Sequence, residues 1–382
     1  MGKKSGRAAN GMGSIRQRAN GSWEGRYTDP NGQQRSVYGK TQKEVTKKLK
    51  DVQHEVDTGS WINPSKMTVG EWLDIWIRDY QGHTTGRTVE TYTCAINKWF
   101  KPTFGEVAMQ KFGEMHVRRM VSDMEKAGRK PYTVQHHCAI LSAAMEQAVQ
   151  SKLIKANPVK AVKLKRRDNK VEFHVVDRQQ IPAFIQAAGK TDYPGELVFL
   201  LLSGLRIGEL RGLRWQDVDF DAGTIHIEQQ LHAVTHNIRF SSPKNGERRE
   251  IHLAPEAIEV LKQQRKRQAT QRLAAGDKWL EDDVSRGLVF RRPNGKPHTE
   301  TSIYKVVKSV GAEIGVPDLH PHDLRHSYAI AALRAGADIK TVQHNLGHRS
   351  AKMTMDVYAA YTEDAGKVSA EKLSGYIKEA LK

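Results

Sequence analysis

Apolar and polar positions alternate in three short runs near the N-terminus, residues 14–18, 22–28 and 34–38, separated by Asn20-Gly21 and by Asp29-Pro30-Asn31-Gly32. Period-two alternation broken by such turn formers predicts a three-stranded antiparallel meander. The period then lengthens. Val45, Leu49, Val52 and Val56 fall on one helical face between residues 41 and 58, and Glu44 stands at the capping-box position behind Thr41. That face is expected to cover one side of the sheet. The other side is expected to carry Arg16, Arg18, Arg26 and Arg35, with Trp23, Tyr27 and Tyr38 among them. Residues 1–12 have no period and read as a disordered basic tail.

After a linker over 59–65, Val69, Trp72, Leu73, Trp76 and Ile77 recur at helical spacing. Further helical patterns over 88–99, 116–127 and 133–151 complete a four-helix unit that stops at Asn157-Pro158. From Asp177 onward helical patterns mix with short strands, with turn signals at Asn245-Gly246 and Pro293-Asn294-Gly295. The expected class is multidomain α+β. It comprises a small sheet-plus-helix domain (13–62), a helical domain (66–160), a basic linker (161–174) and a mainly α domain with a small antiparallel sheet (175–382). A last helical pattern, 362–381, carries Val368, Leu373, Ile377 and Leu381 on a stripe that needs a surface to bury it.

Charge changes this picture more than composition does. The 382 residues carry a formal net charge of +18, and residues 1–50 supply half of it, with twelve Lys or Arg against three acids. Such concentration is the footprint of phosphate neutralisation and points to a polyanionic partner, with Lys163, Lys165, Arg166 and Arg167 of the linker placed to touch phosphates as well. The longest apolar run, 197–202, is far too short to span a bilayer, and residues 1–12 do not read as a secretory signal. The expectation is a soluble protein of the cytoplasm, associated with the nucleoid. Cys94 and Cys138 lack Cys-x-x-Cys spacing and read as reduced, buried thiols.

Several chemistries are disfavoured. There is no G-x-x-x-x-G-K-[ST], no G-x-G-x-x-G after a strand and no H-E-x-x-H, so nucleotide hydrolysis and zinc proteolysis lack their motifs. Asp217, Asp219, Asp221 and Glu228 mimic the spacing of a calcium loop, but Ala222 replaces its obligatory glycine. His322 and His326, or His344 and His348, lie four apart without an acid or cysteine cluster to complete a metal site. No metal or cofactor is expected.

What remains is a set of cations and one phenol: Arg206 in Ser203-Gly204-Leu205-Arg206-Ile207-Gly208-Glu209-Leu210, Lys244 beside Asn245-Gly246, His322 and Arg325 in His322-Asp323-Leu324-Arg325-His326, His348 after Leu346-Gly347, and Tyr358. In this order, with ten residues from His348 to Tyr358, the set resembles the tyrosine recombinases, the phage and transposon integrases, over residues 67–370. The chemistry suits the residue types. A tyrosine nucleophile conserves the phosphodiester energy in a phosphotyrosine that a DNA hydroxyl can later attack. Arg206 and Arg325, permanently charged and planar, match the non-bridging oxygens of a pentavalent phosphate. Lys244 suits protonation of the leaving 5′ oxygen, His322 suits the tyrosine proton, and His348 suits a hydrogen bond to the phosphate. Bland readings compete: simple pairing with Glu209 would account for Arg206, Lys296 rivals Lys244, and Tyr361 rivals Tyr358, although the family spacing favours Tyr358. Glu209 and Asp323 read as supports of the catalytic groups.

The resemblance implies more. Residues 13–58 look like the arm-type DNA-binding domain that integrases of phages and conjugative elements carry, and the helical unit like their core-binding, SAM-like domain. The implied function is integration and excision of a mobile element by a homotetramer on double-stranded core and arm sites, through a Holliday junction. An excisionase or DNA-bending host factor is a possible further partner, and the last helix looks like the segment that docks on the next protomer. A relaxing enzyme of type IB topoisomerase character and a binding-only regulator are the alternatives, distinguished by relaxation without paired sites and by loss of a catalytic residue.

Overall fold

The computed structural model describes residues 14–82, 84–165, 174–234, 237–243 and 248–348, with isolated positions 350, 355, 374, 377 and 378. Contacts divide the chain into two units, Met1–Asp168 and Asn169–Lys382. Lys244, Arg166, Arg167, Tyr358, Tyr361, the Asn245-Gly246 turn and nearly all of the expected last helix lie outside the described residues.

In the first unit β1 (Ser14–Gln17), β2 (Trp23–Thr28) and β3 (Gln34–Gly39) form the expected antiparallel meander in the order β1-β2-β3. Asp29 closes its second turn, where its buried Oδ1 accepts from the amides of Asn31 and Gln33, both at 2.9 Å. Helix α1 (Gln42–Asp57) starts at Thr41, whose side chain accepts from the Glu44 amide, and buries Val45 and Leu49 against the sheet. Gly25 makes this approach possible, because a Cβ there would lie 2.8 Å from Val45 Cγ1.

Strand register corrects the expected arginine row. Tyr27 pairs with Arg35 and Gly25 with Val37, so Arg35 shares the helix-facing side. Its guanidinium turns to Asp29 Oδ2 at 3.1 Å and to Asn63 Oδ1 at 2.8 Å, while Tyr27 is buried against Trp61. The open side carries Arg16, Glu24, Arg26, Ser36 and Tyr38, with the Arg18 guanidinium 5.3 Å from the Tyr38 ring centre. Glu24 accepts from Arg16 Nε at 2.6 Å and from the Ser36 hydroxyl at 2.8 Å, contacts that hold its carboxyl down to about 2. The sequence reading had merged two faces because it did not fix the parity of each strand.

The helical part follows as α2 (Val69–Tyr80), α3 (Gly86–Ala95), a π turn (Ile96–Phe100) leading into α4 (Lys101–Phe104), α5 (Glu114–Lys126) and α6 (Pro131–Gln150). Its core is apolar throughout, built on Trp72, Leu73, Trp76, Phe100, Phe104, Met120, Leu141 and Met145. Trp72 hands its one donor to the Ala144 carbonyl at 3.0 Å, so its large buried ring brings no unmet polar group. Lys163 and Lys165 are exposed beyond it. Cys138 is buried, which pushes its thiol up to about 11, whereas Cys94 is exposed on α3, contrary to the expectation of two buried thiols.

The second unit runs α7 (Ile181–Gly189), α8 (Pro194–Ser203), α9 (Ile207–Gly212), β4 (Val218–Asp219), β5 (Thr224–Ile227), β6 (Gln230–Val234), β7 (Asn237–Ser241), β8 (Arg249–His252), α10 (Pro255–Ala275), α11 (Glu300–Glu313), α12 (Pro321–Arg334) and α13 (Ile339–Leu346). Strands β4, β5 and β8 form one antiparallel sheet and β6 and β7 a separate hairpin, so the expected α+β class holds with two small sheets in place of one. Asp219 is a turn residue, accepting from the amides of Asp221 and Ala222 at 2.9 and 2.8 Å, which explains the alternating aspartates without a metal loop. Helix α8 is wrapped on nearly every side: Leu197, Phe199, Leu200 and Leu201 join Phe184, Leu210, Ile251, Phe290 and Leu324 in the core. Among the described residues no helix is long and apolar enough to cross a membrane.

Candidate active site

The site begins where α8 ends. Gly204 caps that helix in the left-handed region at φ 64°, and a Cβ there would run into the Tyr328 ring. The chain then extends through Leu205 and enters α9 with Arg206 at its N-cap. Glu209 sits in the first turn and, fully buried, does two things at once. Its Oε2 accepts from the Arg206 amide at 3.0 Å, capping the helix, and its Oε1 accepts from Arg206 Nη1 at 2.8 Å. The bland reading of Arg206 as a partner of Glu209 therefore holds, and the side-chain pairing uses Nη1 while Nη2 is directed elsewhere.

The far end of the site is the last turn of α13. A helix C-terminus leaves carbonyls without intrahelical donors and carries the negative end of the helix dipole. Here three successive carbonyls each receive a different arginine from a different element. Asn345 O accepts from Arg249 Nε of β8 at 2.9 Å, Leu346 O from Arg325 Nη2 of α12, and Gly347 O from Arg206 Nη2 at 2.7 Å. Arg325 also donates Nη1 to Gly204 O at 2.8 Å, joining both ends of the site. Gly347 caps α13 at φ 60°, and a Cβ there would stand 3.1 Å from Arg249 Nη1. The turn hands on to His348, whose backbone is pinned both ways to Gln343 at 3.1 and 3.0 Å.

Electrostatically the cluster is lopsided. Three guanidiniums surround one carboxylate, since Arg249 grips Glu209 bidentately with Nη1 to Oε1 at 3.1 Å and Nη2 to Oε2 at 2.7 Å. Burial alone would raise the Glu209 carboxyl, yet the hydrogen bond and charge of Arg249, then the charge of Arg206, bring it down to about 2. Burial and the neighbouring Arg206 charge bring Arg325 down to about 9, still cationic near neutral pH. Its buried Nε has no hydrogen-bond partner among the described residues. Burial, then the charges of Arg325 and Arg206, push His348 down to about 3, so its imidazole is neutral near neutral pH. Among the described residues the guanidiniums outnumber the carboxylates here, a charge distribution that attracts anions.

The structure thus brings together four of the sequence candidates: Arg206, Glu209, Arg325 and His348. His322 is exposed, although its neighbours Pro321 and Asp323 in the first turn of α12 are buried; its ring stands edge-on to His326 at 4.7 Å, and its charge contributes to lowering both His326 and His348. Asp323 does not touch an arginine of the cluster; its Oδ2 accepts from the His320 amide at 2.8 Å and caps the helix that carries His322 and Arg325. Arg249 escaped the sequence reading. The signal was present: in the strand Arg249-Glu250-Ile251-His252 the arginine shares the buried register of Ile251, an unusual place for a charge without a buried partner.

Known proteins resemble this chain in sequence and in fold. Residues 174–364 match the Phage integrase family and residues 68–124 match the Phage integrase, N-terminal SAM-like domain. An integrase of Streptomyces ambofaciens is 27% identical over 361 residues, covering 92% of this chain and 91% of its own. Among solved structures, the Tn1549 transposon integrase in complex with transposon right-end DNA superposes with a TM-score of 0.67 at 22% identity, over 81% of this chain and 100% of that one. A lambda integrase dimer bound to a COC′ core site gives 0.59 at 17% identity, over 95% of this chain and 98% of that one. The family match encloses every member of the arginine cluster and the Tyr358 segment, and the chain belongs to the phage integrase family.

Proposed function

We propose that this protein is a site-specific DNA recombinase that integrates and excises a mobile element, cutting and rejoining strands through a 3′-phosphotyrosine. The observation that carries the reading is the convergence of Arg206, Arg249 and Arg325 on the carbonyls of Asn345, Leu346 and the capping Gly347 at the end of α13, around a single carboxylate. Such a cluster suits the non-bridging oxygens of a scissile phosphate, whose negative charge grows in the transition state.

In the proposed reaction the Tyr358 oxygen bonds to phosphorus while the bond to the 5′ oxygen breaks. Lys244 gives the leaving oxygen its proton, His322 takes the proton of Tyr358, and Arg206, Arg325 and the neutral N–H of His348 bind the phosphate. Reversal by another strand's 5′ hydroxyl rejoins the DNA, and two such rounds pass through a Holliday junction. No ATP is consumed, since the phosphotyrosine keeps the bond energy.

The N-terminal sheet would bind arm-type duplex sites through Arg16, Arg26 and the Arg18–Tyr38 pair on its open side, with Arg35 bracing the Asp29 turn from the other side. The helical domain and the Lys163, Lys165, Arg166, Arg167 segment would hold the core site. The active assembly would be a homotetramer on DNA, in the cytoplasm at the nucleoid, with an excisionase or bending factor setting direction.

The test is covalent trapping on a nicked suicide duplex carrying the element's end, in EDTA, with wild type, Tyr358→Phe and Tyr361→Phe. The expected result is an adduct that only Tyr358→Phe abolishes. An adduct that needs Tyr361 would move the nucleophile, and no adduct on demonstrably bound DNA would favour a binding-only protein.

A further inference from the structure

Arg206 is held by two side-chain contacts, Glu209 Oε1 at 2.8 Å and Gly347 O at 2.7 Å, and Arg249 is bonded to the holder in one case and next to it in the other. It takes both oxygens of Glu209, and its Nε ties down Asn345 O, two residues before Gly347. The Arg249 side chain is only 4% exposed and the Glu209 side chain 0%. A side chain so enclosed, with its donors directed at protein oxygens, is poorly placed to bind DNA itself. We propose that Arg249 is a positioning residue for phosphate capture, one that saturates Glu209 and clamps the α13 terminus so that the Arg206 guanidinium stays turned to the scissile phosphate. This rests on the recombinase reading above.

The geometry says what its loss would do. Glu209 Oε1 is shared between Arg206 Nη1 and Arg249 Nη1, and Oε2 between the Arg206 amide and Arg249 Nη2. A buried carboxylate deprived of Arg249 must find its compensation elsewhere, and among the described residues the other cation bonded to it is Arg206. That guanidinium would be drawn onto Glu209 as a fork-to-fork pair, the geometry that arginine and carboxylate favour. A competing carboxylate would then occupy the donors needed by the phosphate. At the same time the Asn345 carbonyl would lose its donor, loosening the turn that carries Gly347 and His348. A lysine at this position keeps a charge near Glu209 but cannot make the fork and reach Asn345 together.

The expected pattern is therefore specific. Arg249→Met should bind the duplex within a few-fold of wild type, yet form the covalent adduct about 10²-fold more slowly, the scale of losing one transition-state donor. Arg249→Lys should fall between the two. A duplex with a methylphosphonate at the scissile position separates positioning from mere folding support. Replacing one non-bridging oxygen by methyl removes the negative charge, so a defect in charge capture shrinks on this DNA while a defect in fold does not. The yardstick is Arg206→Ala: Arg249→Met should track it, with a large deficit on phosphate and a small one on methylphosphonate. Should Arg249→Met be poorly folded by its thermal melt, Arg249→Lys is compared in its place. A deficit that does not follow Arg206→Ala across the two DNAs, or wild-type rates in the variant, overturns the inference. Failure of the wild type to form an adduct would instead overturn the recombinase reading.

Discussion

Two buried charge clusters lie in the second unit, built from the same residue types but differently balanced. One is the site: Arg206, Arg249 and Arg325 against Glu209. The other joins α8, α9, β6 and the start of α11. There His298 Nε2 meets Glu196 Oε1 at 2.9 Å, Arg211 donates Nε to His298 O at 2.8 Å and Nη1 to Leu231 O at 3.1 Å, and Glu300 Oε1 lies 3.5 Å from Arg211. Two acids face one arginine and one histidine, and Tyr193 closes the group edge-on at 4.5 Å from the His298 ring. Both Arg211 and Arg325 are 1% exposed. Burial therefore does not distinguish function from structure here; the sum of charge does. A cluster whose arginine is faced by acids is a tie between elements, whereas a surplus of guanidiniums held in place by carbonyls stores an attraction for an anion.

The sharpest way to break this contrast is to exchange each arginine for a shape-mimicking apolar residue. Arg325→Met should lower adduct formation by about 10³-fold, as removal of a preorganised transition-state donor does, while changing stability by less than about 2 kcal/mol. Removing a buried like charge there offsets the loss of donors to Gly204 O and Leu346 O. Arg211→Met should do the reverse, lowering stability by about 3–5 kcal/mol through uncompensated buried partners, with the adduct rate per folded molecule nearly kept. Urea unfolding and single-turnover cleavage on the same preparations measure both. Equal catalytic losses in the two variants would end the distinction.

Much of the fold was legible because its cues are local. Asn20-Gly21 and Asn31-Gly32 give glycines at φ 78° and 80°, Thr41 with Glu44 caps α1, and the apolar stripes of α2, α5 and α6 mark their buried faces. The catalytic candidates were legible through the words around them. What was hidden is what acts at a distance. Arg325 reaches Gly204 across 121 residues and Arg206 reaches Gly347 across 141, and both accept partners are backbone carbonyls, which no side-chain motif encodes. Arg249 was marked only by its buried strand register, with its partners on other elements unencoded, and Arg35 was misplaced because alternation gives two faces without saying which one a helix will cover.

The two clusters should also differ in acid. Glu209 is held at about 2 in the folded chain against an ordinary 4.5, so its contribution is fully present above about pH 4.5 and is lost as pH falls through about 2. For a shift of this size in a fully buried group the contribution is about 3 kcal/mol. The fall in unfolding free energy between pH 4.5 and 2 should be shallower by about that amount in Glu209→Gln than in wild type, as measured by urea titrations at several pH values. An identical acid limb in both proteins would mean that Arg249 and Arg206 do not hold the carboxylate as described.

The smallest effect tests the surplus itself. If three guanidiniums around one carboxylate carry a standing attraction for an oxyanion, then orthovanadate, which can imitate a five-coordinate phosphate, should bind the folded chain and not the unfolded one. At about ten times its dissociation constant such a ligand adds about 1.4 kcal/mol, which for a unit of this size raises the melting temperature by about 3–5 °C. The rise should vanish in Arg325→Met, where the cation excess and the unused Nε donor go together. It should persist in Arg211→Met, whose melting point starts lower but whose removed charge was already balanced by Glu300 and its carbonyl partners. A rise that disappears in both variants would mean the anion senses only the net positive charge of the chain, and the local imbalance would lose its meaning. A rise kept in Arg211→Met alone ties anion binding to the place where three arginines meet one helix end.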